Sequence, residues 1–235
     1  YVILSLLPAV IFSIYQYGFY VLVMYVGSIF TCGLSEYLVL KIRKKPLSLR
    51  DFSFAVTAVL LVMSLPPAFP LYGVILGAFA AIVIGKQIFG GLGYNIFNPA
   101  LVGRAFLAAA YPVLISRWTT PCLLTDIGVS AVTTATPLGS FKFDDLYTPV
   151  SSLVFGTVAG SAGEASTVLL LAGAVFLFIK GYIKWRIPAS IFITVAVLGE
   201  LSHLIDPSKY PDVLFHLFGG GLMLGALYMA TDMVL

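Results

Sequence analysis

Charge is scarce in this chain. Only 10% of its residues are Asp, Glu, Lys or Arg, against about 25% in an ordinary soluble domain, and the mean hydropathy is +1.04. A water-soluble globular protein is excluded on that ground. A cleaved leader does not explain the apolarity, because apolar stretches recur to the last residue. Cysteine is nearly absent. Cys32 lies in an apolar run and Cys122 in a polar loop, with no metal-type spacing, so neither a metal site nor a disulfide framework is indicated. Histidine is as sparse, and His203 and His216, lacking a second ligand at metal spacing, read as interfacial hydrogen-bonding residues. The net charge of +3 is not gathered into a basic patch interleaved with aromatics, which excludes a nucleic-acid surface. No glycine-rich stretch matches a Walker or dinucleotide fingerprint, so direct binding of ATP or NAD is not expected. No repeat of fixed period and no linker divides the chain.

What the chain has is apolar blocks. Residues 1–15 read as the end of a helix that begins earlier, since a span needs roughly 20 residues. Further helices are expected over 19–40, 52–65, 71–89, 101–115, 167–179, 187–204 and 213–231, separated by Gly18, Pro66-Pro67, the Gly90–Gly93 turn, a long polar stretch, a basic turn and Asp206-Pro207. This is the pattern of an all-α polytopic membrane protein with about eight transmembrane helices, several interrupted, in one integral membrane domain over residues 1–235. With alternating loops, Lys41, Arg43, Lys44, Lys45, Arg50, Lys86, Lys180, Lys184 and Arg186 fall on one side. Arg117, Lys142 and Lys209 fall on the other, and Arg104 lies near a helix start. The bias assigns the first side to the cytoplasm and places the long loop, residues 116–152, on the non-cytoplasmic side.

That loop holds Ser130-Ala-Val-Thr-Thr-Ala-Thr136-Pro-Leu138. Pro137 biases Thr136 away from helical geometry, which projects its hydroxyl from an extended, accessible segment as an acceptor for a modifying enzyme. The alternative is a Ser/Thr-rich turn that caps a helix. At the opposite face, Asn95 and Asn98 precede Pro99. Asn98 suits an N-cap with Pro99 at the first helical position, whereas two side-chain amides also suit a polar heteroaromatic ring. Arg104, inside the following helix, needs a partner or a water-filled cavity. Glu164, Glu200 and Asp232 fall near helix ends, where each serves either an ion path or the interface.

Four stretches in order, Phe89-Gly-Gly-Leu-Gly-Tyr-Asn-Ile-Phe-Asn-Pro-Ala100, Thr134-Ala-Thr-Pro-Leu138, Gly160-Ser-Ala-Gly-Glu-Ala-Ser166 and Gly225-Ala-Leu-Tyr-Met-Ala-Thr-Asp232, resemble the flavin-carrying membrane subunit shared by two respiratory complexes. These are the D subunit of the Rnf ferredoxin:NAD oxidoreductase and the B subunit of the sodium-pumping NADH:quinone reductase. The short amino-terminal part looks more like the Rnf subunit. The resemblance implies covalent FMN on Thr136 through a phosphoester, and a non-covalent riboflavin near the Asn-x-Phe-Asn-Pro element, hence Asn95, Asn98, Pro99 and Arg104. Where the family carries an acid before the acceptor, this chain has Ser130, with Asp126 the nearest upstream acid. The resemblance also implies further helices beyond residue 235 and a flavin transferase for maturation. It implies partner subunits that include a second covalent-FMN subunit and iron–sulfur subunits, and a place in the prokaryotic cytoplasmic membrane. The expected function is passage of electrons across the membrane, coupled to Na+ or H+ translocation, by a subunit not catalytic alone. A secondary transporter, with interrupted helices cradling a solute near the midplane, is the alternative.

Overall fold

The computed structural model describes residues 1–44, 51–121, 133–144, 146–207 and 209–231. Readings that rest on Lys45, Arg50, Cys122, Asp126, Ser130 and Asp232 lie outside the described residues. The elements run α1 (Val2–Tyr17), α2 (Phe19–Ile42), α3 (Ser53–Met63), α4 (Leu71–Ile82), α5 (Pro99–Ala110), α6 (Pro112–Ile115), β1 (Trp118–Thr119), β2 (Thr133–Thr134), α7 (Pro137–Asp144), α8 (Val150–Phe155), α9 (Thr167–Ile179), α10 (Arg186–Ile205), α11 (Val213–Phe218) and α12 (Leu222–Leu224). A 3₁₀ turn, Ala162–Ala165, precedes α9, and π-helical turns extend α4 over Val83–Gln87 and α12 over Gly225–Met229. The expected all-α class holds; among the described residues the exceptions are a two-residue antiparallel ladder and one isolated bridge.

Local sequence explains most boundaries. Gly18, at φ +86°, turns the chain between α1 and α2. At α5, the Asn98 Oδ1 accepts from the Ala100 and Leu101 N–H groups at 2.9 and 3.3 Å, and Pro99 occupies the first helical position. Ser166 caps α9 through Leu169 N–H at 3.4 Å. The π turns close with Ile88 N–H to Val83 O at 3.0 Å and Ala230 N–H to Gly225 O at 2.8 Å. Such turns insert one extra residue into a helix, often at functional sites.

Of the apolar helices, α2 with 24 residues and α10 with 20 are long and apolar enough to cross a bilayer, at about 36 and 30 Å by rise per residue. The other apolar helices, counting the π extension of α4, have 10–17 residues. The count of eight crossing helices is therefore not reproduced among the described residues. The reason is interruption. The segment expected as one helix over 213–231 is two pieces, α11 and α12 with its π extension, broken at Gly219–Gly221, and 101–115 breaks at Tyr111-Pro112. The long loop likewise contains α7 and the start of α8.

The core forms where α2, α3, α4 and α5 meet, around Met24, Leu60, Leu61, Val74, Ala78 and Leu107. α4 and α5 approach closely because a Cβ at Gly103 would lie 2.7 Å from the Gly77 carbonyl oxygen, the small-residue contact that lets two backbones touch without lipid between them. α1 packs on α9 and α10 on α11. The outer face is the reverse of a soluble surface. Ile42, Ile179 and Ile205 are 79%, 79% and 81% exposed, alongside Phe30, Leu201 and Leu204. So large an apolar belt is unfavourable in water and fits a membrane subunit.

Candidate functional site

Two polar stations interrupt the apolar fold, with a buried ion pair as a third feature. The first station is the turn before α5. Gly90, Gly91 and Gly93 take φ of +129°, +108° and +81°, which a side chain would resist. The turn then exposes Tyr94, Ile96 and Phe97 while burying Asn95 and Asn98, 6% and 5% exposed. The two asparagines are not equivalent. Asn98 uses Oδ1 for the α5 cap and donates from Nδ2 to the Met229 carbonyl at 3.1 Å, joining α5 to the second π turn. Asn95 donates from Nδ2 to Phe97 O at 3.3 Å, and its buried Oδ1 has no hydrogen-bond partner among the described residues. A buried acceptor left open in this way costs about 1–3 kcal/mol. Pro99 packs against the first π turn, 2.9 Å from where a Cβ at Gly85 would lie.

The ion pair corrects one assignment made from the sequence. Lys86 belongs in the charge count among the cations of the cytoplasmic loops, yet it is wholly buried in the first π turn. Its Nζ donates to Glu36 Oε1 at 2.7 Å and to Ser53 Oγ at 2.6 Å, and Gln87 Nε2 adds a bond to the same carboxylate oxygen at 3.2 Å. Among the described residues, Glu36 Oε2 and Gln87 Oε1 are buried without hydrogen-bond partners. A cleft of about 260 Å³, lined by Val39, Arg43, Val83, Gln87 and Ile88, reaches this cluster at Gln87. Sequence reasoning missed Glu36; the available signal was an acid inside an apolar helix, which demands a partner.

The second station is built on Thr136. β1 pairs with β2 in the register Trp118 to Thr134 and Thr119 to Thr133, and Thr119 is also bridged to Gly160. The chain leaves this ladder into α7 through Thr136. Its Oγ1 accepts from Gly139 N–H at 3.2 Å and its carbonyl from Ser140 N–H at 2.8 Å, so the half-exposed residue both caps α7 and presents its hydroxyl at the helix N-terminus. The expectation of an extended segment holds for Thr133 and Thr134 and gives way to a helix start at Thr136. A cleft of about 660 Å³ lies beside α7, lined by Leu138, Phe141, Lys142, Lys209, Tyr210, Pro211 and His216. In the loop beyond, Tyr147 donates to Asp212 Oδ1 at 3.2 Å, and partial burial together with the Asp212 charge pushes its hydroxyl above the ordinary tyrosine value.

Glu164 lies in the 3₁₀ turn, outside the spanning helices. It accepts from Ser161 Oγ at 2.8 Å, and burial raises its carboxyl above the usual carboxylate range against the opposing effects of Ser161 and Arg104. Arg104, half-buried on α5, acts on Glu164 at a distance and forms no ion pair with it. Thus Asn95, Asn98 and Pro99 are gathered at the head of α5, while Arg104, farther along the same helix, acts electrostatically toward Glu164.

The sequence over residues 1–235 matches the NQR2, RnfD, RnfE family. The chain belongs to that family. Among its relatives is the D subunit of the proton-translocating ferredoxin:NAD(+) oxidoreductase complex of Clostridium ljungdahlii, 41% identical over 243 residues, covering 99% of this chain and 72% of that protein. The D subunit of the Na(+)-translocating ferredoxin:NAD(+) oxidoreductase complex of Acetobacterium woodii is 39% identical, covering 98% and 70%. The D subunit of the ion-translocating oxidoreductase complex of Cronobacter sakazakii is 34% identical, covering 99% and 77%. For this NQR2, RnfD, RnfE family member the two stations are therefore parts of one membrane subunit, and the relatives' names cover both proton and sodium coupling.

Proposed function

We propose that this chain is the membrane subunit of an Rnf-type, ion-translocating electron-transport complex, not catalytic alone. In this reading it passes electrons across the membrane between FMN held through a phosphoester at Thr136 and a non-covalent riboflavin at Asn95, coupled to Na+ or H+ movement. The observation that carries the reading is the position of the Thr136 hydroxyl, half-exposed at the head of an eight-residue helix. A phosphoester there meets the positive dipole end of α7, where Gly139 N–H already points at the Thr136 Oγ1. The open, buried Oδ1 of Asn95 supports the second flavin, because a flavin ring edge supplies an N–H donor. Asn98 and Pro99 hold the head of α5 in place beside it, and Arg104 adds positive potential one to two turns along.

When bound, flavins supply one- and two-electron chemistry, while the protein sets position and potential. The chain's own part is to tether one group and orient the other. A tether replaces affinity by a high effective concentration, which matters outside the cytoplasm, where free FMN is dilute. The reading includes the Thr136 loop on the non-cytoplasmic face of the prokaryotic cytoplasmic membrane, iron–sulfur and second FMN-carrying subunits as neighbours, and a flavin transferase for maturation.

The test is in-gel ultraviolet fluorescence after denaturation. Wild-type protein should give a fluorescent band and Thr136→Val none, with assembly unchanged. A band that persists in Thr136→Val overturns the assignment to Thr136. Interrupted helices and two π turns also suit a secondary transporter, and a wild-type band without fluorescence would favour that second reading.

A further inference from the structure

We infer that Glu164 is the proton-binding group that balances charge arriving at the flavin tethered to Thr136; the inference rests on the FMN reading of Thr136. Two separate contact routes place it there. In the first, Thr119 stands between Thr133 and Gly160 as a shared partner. With neighbouring strands about 4.8 Å apart, the Gly160 backbone lies roughly 10 Å from β2. Gly160 has no side chain, and the space a Cβ would need is filled by the Glu164 carboxylate. In the second route, Cβ atoms built at Gly219 and Gly220 would meet Leu138 at 3.5 and 3.4 Å, two residues beyond Thr136, and one at Gly221 would lie 3.9 Å from Glu164 Oε1. Glycines thus bring the carboxyl up to the attachment segment from both sides.

The surroundings of Glu164 suit a group that changes charge. It forms no ion pair among the described residues. Among the described residues, the titratable and charged groups that act on it are Tyr17 from α1 and Arg104 from α5; α3, which also packs against the 3₁₀ turn, carries no charged residue. The Tyr17 hydroxyl is buried without a hydrogen-bond partner among the described residues. Among the described residues, Ser161 Oγ supplies the side-chain hydrogen bond to the carboxylate. Such a carboxyl is held by hydrogen bonding and a distant cation, and its protonation responds to any new charge nearby.

The balance is simple. One electron from a one-electron donor elsewhere in the complex adds one negative charge at the tethered group. Glu164 takes one proton from the aqueous phase, forming one O–H bond and breaking none in the chain, and releases it when the electron leaves. A unit charge held at the attachment segment, at the roughly 10 Å that separates it from Gly160, would change proton affinity about tenfold at an effective dielectric of about 20. Linkage is reciprocal, so protonation of Glu164 must change the electron affinity by the same factor. A tenfold change corresponds to about 59 mV for a one-electron couple.

The test is a redox titration of the intact purified complex across a pH series, followed by flavin absorbance, with the Thr136→Val complex as the spectral blank. The wild type should show a pH-dependent step in the midpoint potential, on the order of tenfold in equilibrium constant, that Glu164→Gln lacks. Glu164→Gln should sit near the acid-side wild-type value at every pH. Glu164→Asp should keep the step, displaced along the pH axis. Denaturation-resistant fluorescence in the wild type with identical pH profiles for wild type and Glu164→Gln overturns this inference alone. Should Glu164→Gln fail to carry flavin, an undisplaced step in Glu164→Asp overturns it. A wild type without covalent flavin overturns the reading of Thr136 and this inference with it.

Discussion

The two asparagines before α5 should respond oppositely to the same substitution. Asn98→Ala removes the acceptor of two helix-end N–H groups and the donor to the buried Met229 carbonyl. Loss of the cap costs about 1 kcal/mol, and a carbonyl stripped of this donor adds about 1–3 kcal/mol. Destabilisation of roughly 2–4 kcal/mol is expected. Asn95→Ala removes one long bond to Phe97 O and an oxygen without a partner among the described residues, so the net change should fall within about 1 kcal/mol. If Asn95 Oδ1 is the acceptor for riboflavin, the milder variant is the one that loses the ligand. The assay pairs thermal unfolding of the purified complex with chromatography of acid-extracted riboflavin, normalised to covalent FMN. Asn95→Ala should unfold near the wild-type temperature with extractable riboflavin lost and covalent FMN kept. Asn98→Ala should unfold earlier. Wild-type riboflavin stoichiometry in a stable Asn95→Ala protein would refute the reasoning, leaving the asparagine a turn residue and nothing more.

Lys86→Met leaves Glu36 buried without its cation and should destabilise the protein by about 3–5 kcal/mol, whereas the double variant Lys86→Met with Glu36→Leu should recover most of that loss; denaturant midpoints of the two proteins check the contrast, and equal midpoints would show that removing Glu36 brings no relief once its cation is gone. For orientation, Ser140→Cys should react with an impermeant thiol reagent applied to intact cells and Lys44→Cys should not, while the reverse pattern would place the Thr136 segment in the cytoplasm.

Sequence alone reveals the parts of this fold that short-range chemistry decides. Asn98-Pro99 announces a helix start because cap and first-turn proline act within three residues, and the structure places both there. Helix α2 is legible nearly to its ends because a long apolar run has few alternatives. The failures are long-range. Lys86 reads as a loop cation when its partner is 50 residues away and nothing in a local window reports the pairing. The break at Gly219–Gly221 is invisible to hydropathy, since glycine interrupts a helix without making it polar. At Thr136 both readings of the residues meet in one place: proline keeps the residue out of the helix, and the same residue caps the helix that proline begins. The division of labour between Asn95 and Asn98 cannot be read from the sequence, because it depends on a carbonyl 131 residues from Asn98.

That distance has a consequence for biogenesis. The head of α5 is gripped on one side by the first π turn at Gly85 and on the other by the Met229 carbonyl. At ribosomal rates of about 5–20 residues per second, the second grip is synthesised roughly 7–26 s after Asn98. During that interval the Asn98 Nδ2 has yet to meet the Met229 carbonyl, although the local cap on α5 can already form. A nascent chain halted before residue 229 should therefore hold its apolar helices with the turn at residues 90–98 still unfastened. If Asn95 holds a ligand, its acquisition belongs to the finished subunit, and any binder that needs a closed turn meets it only after translation has passed the second π turn.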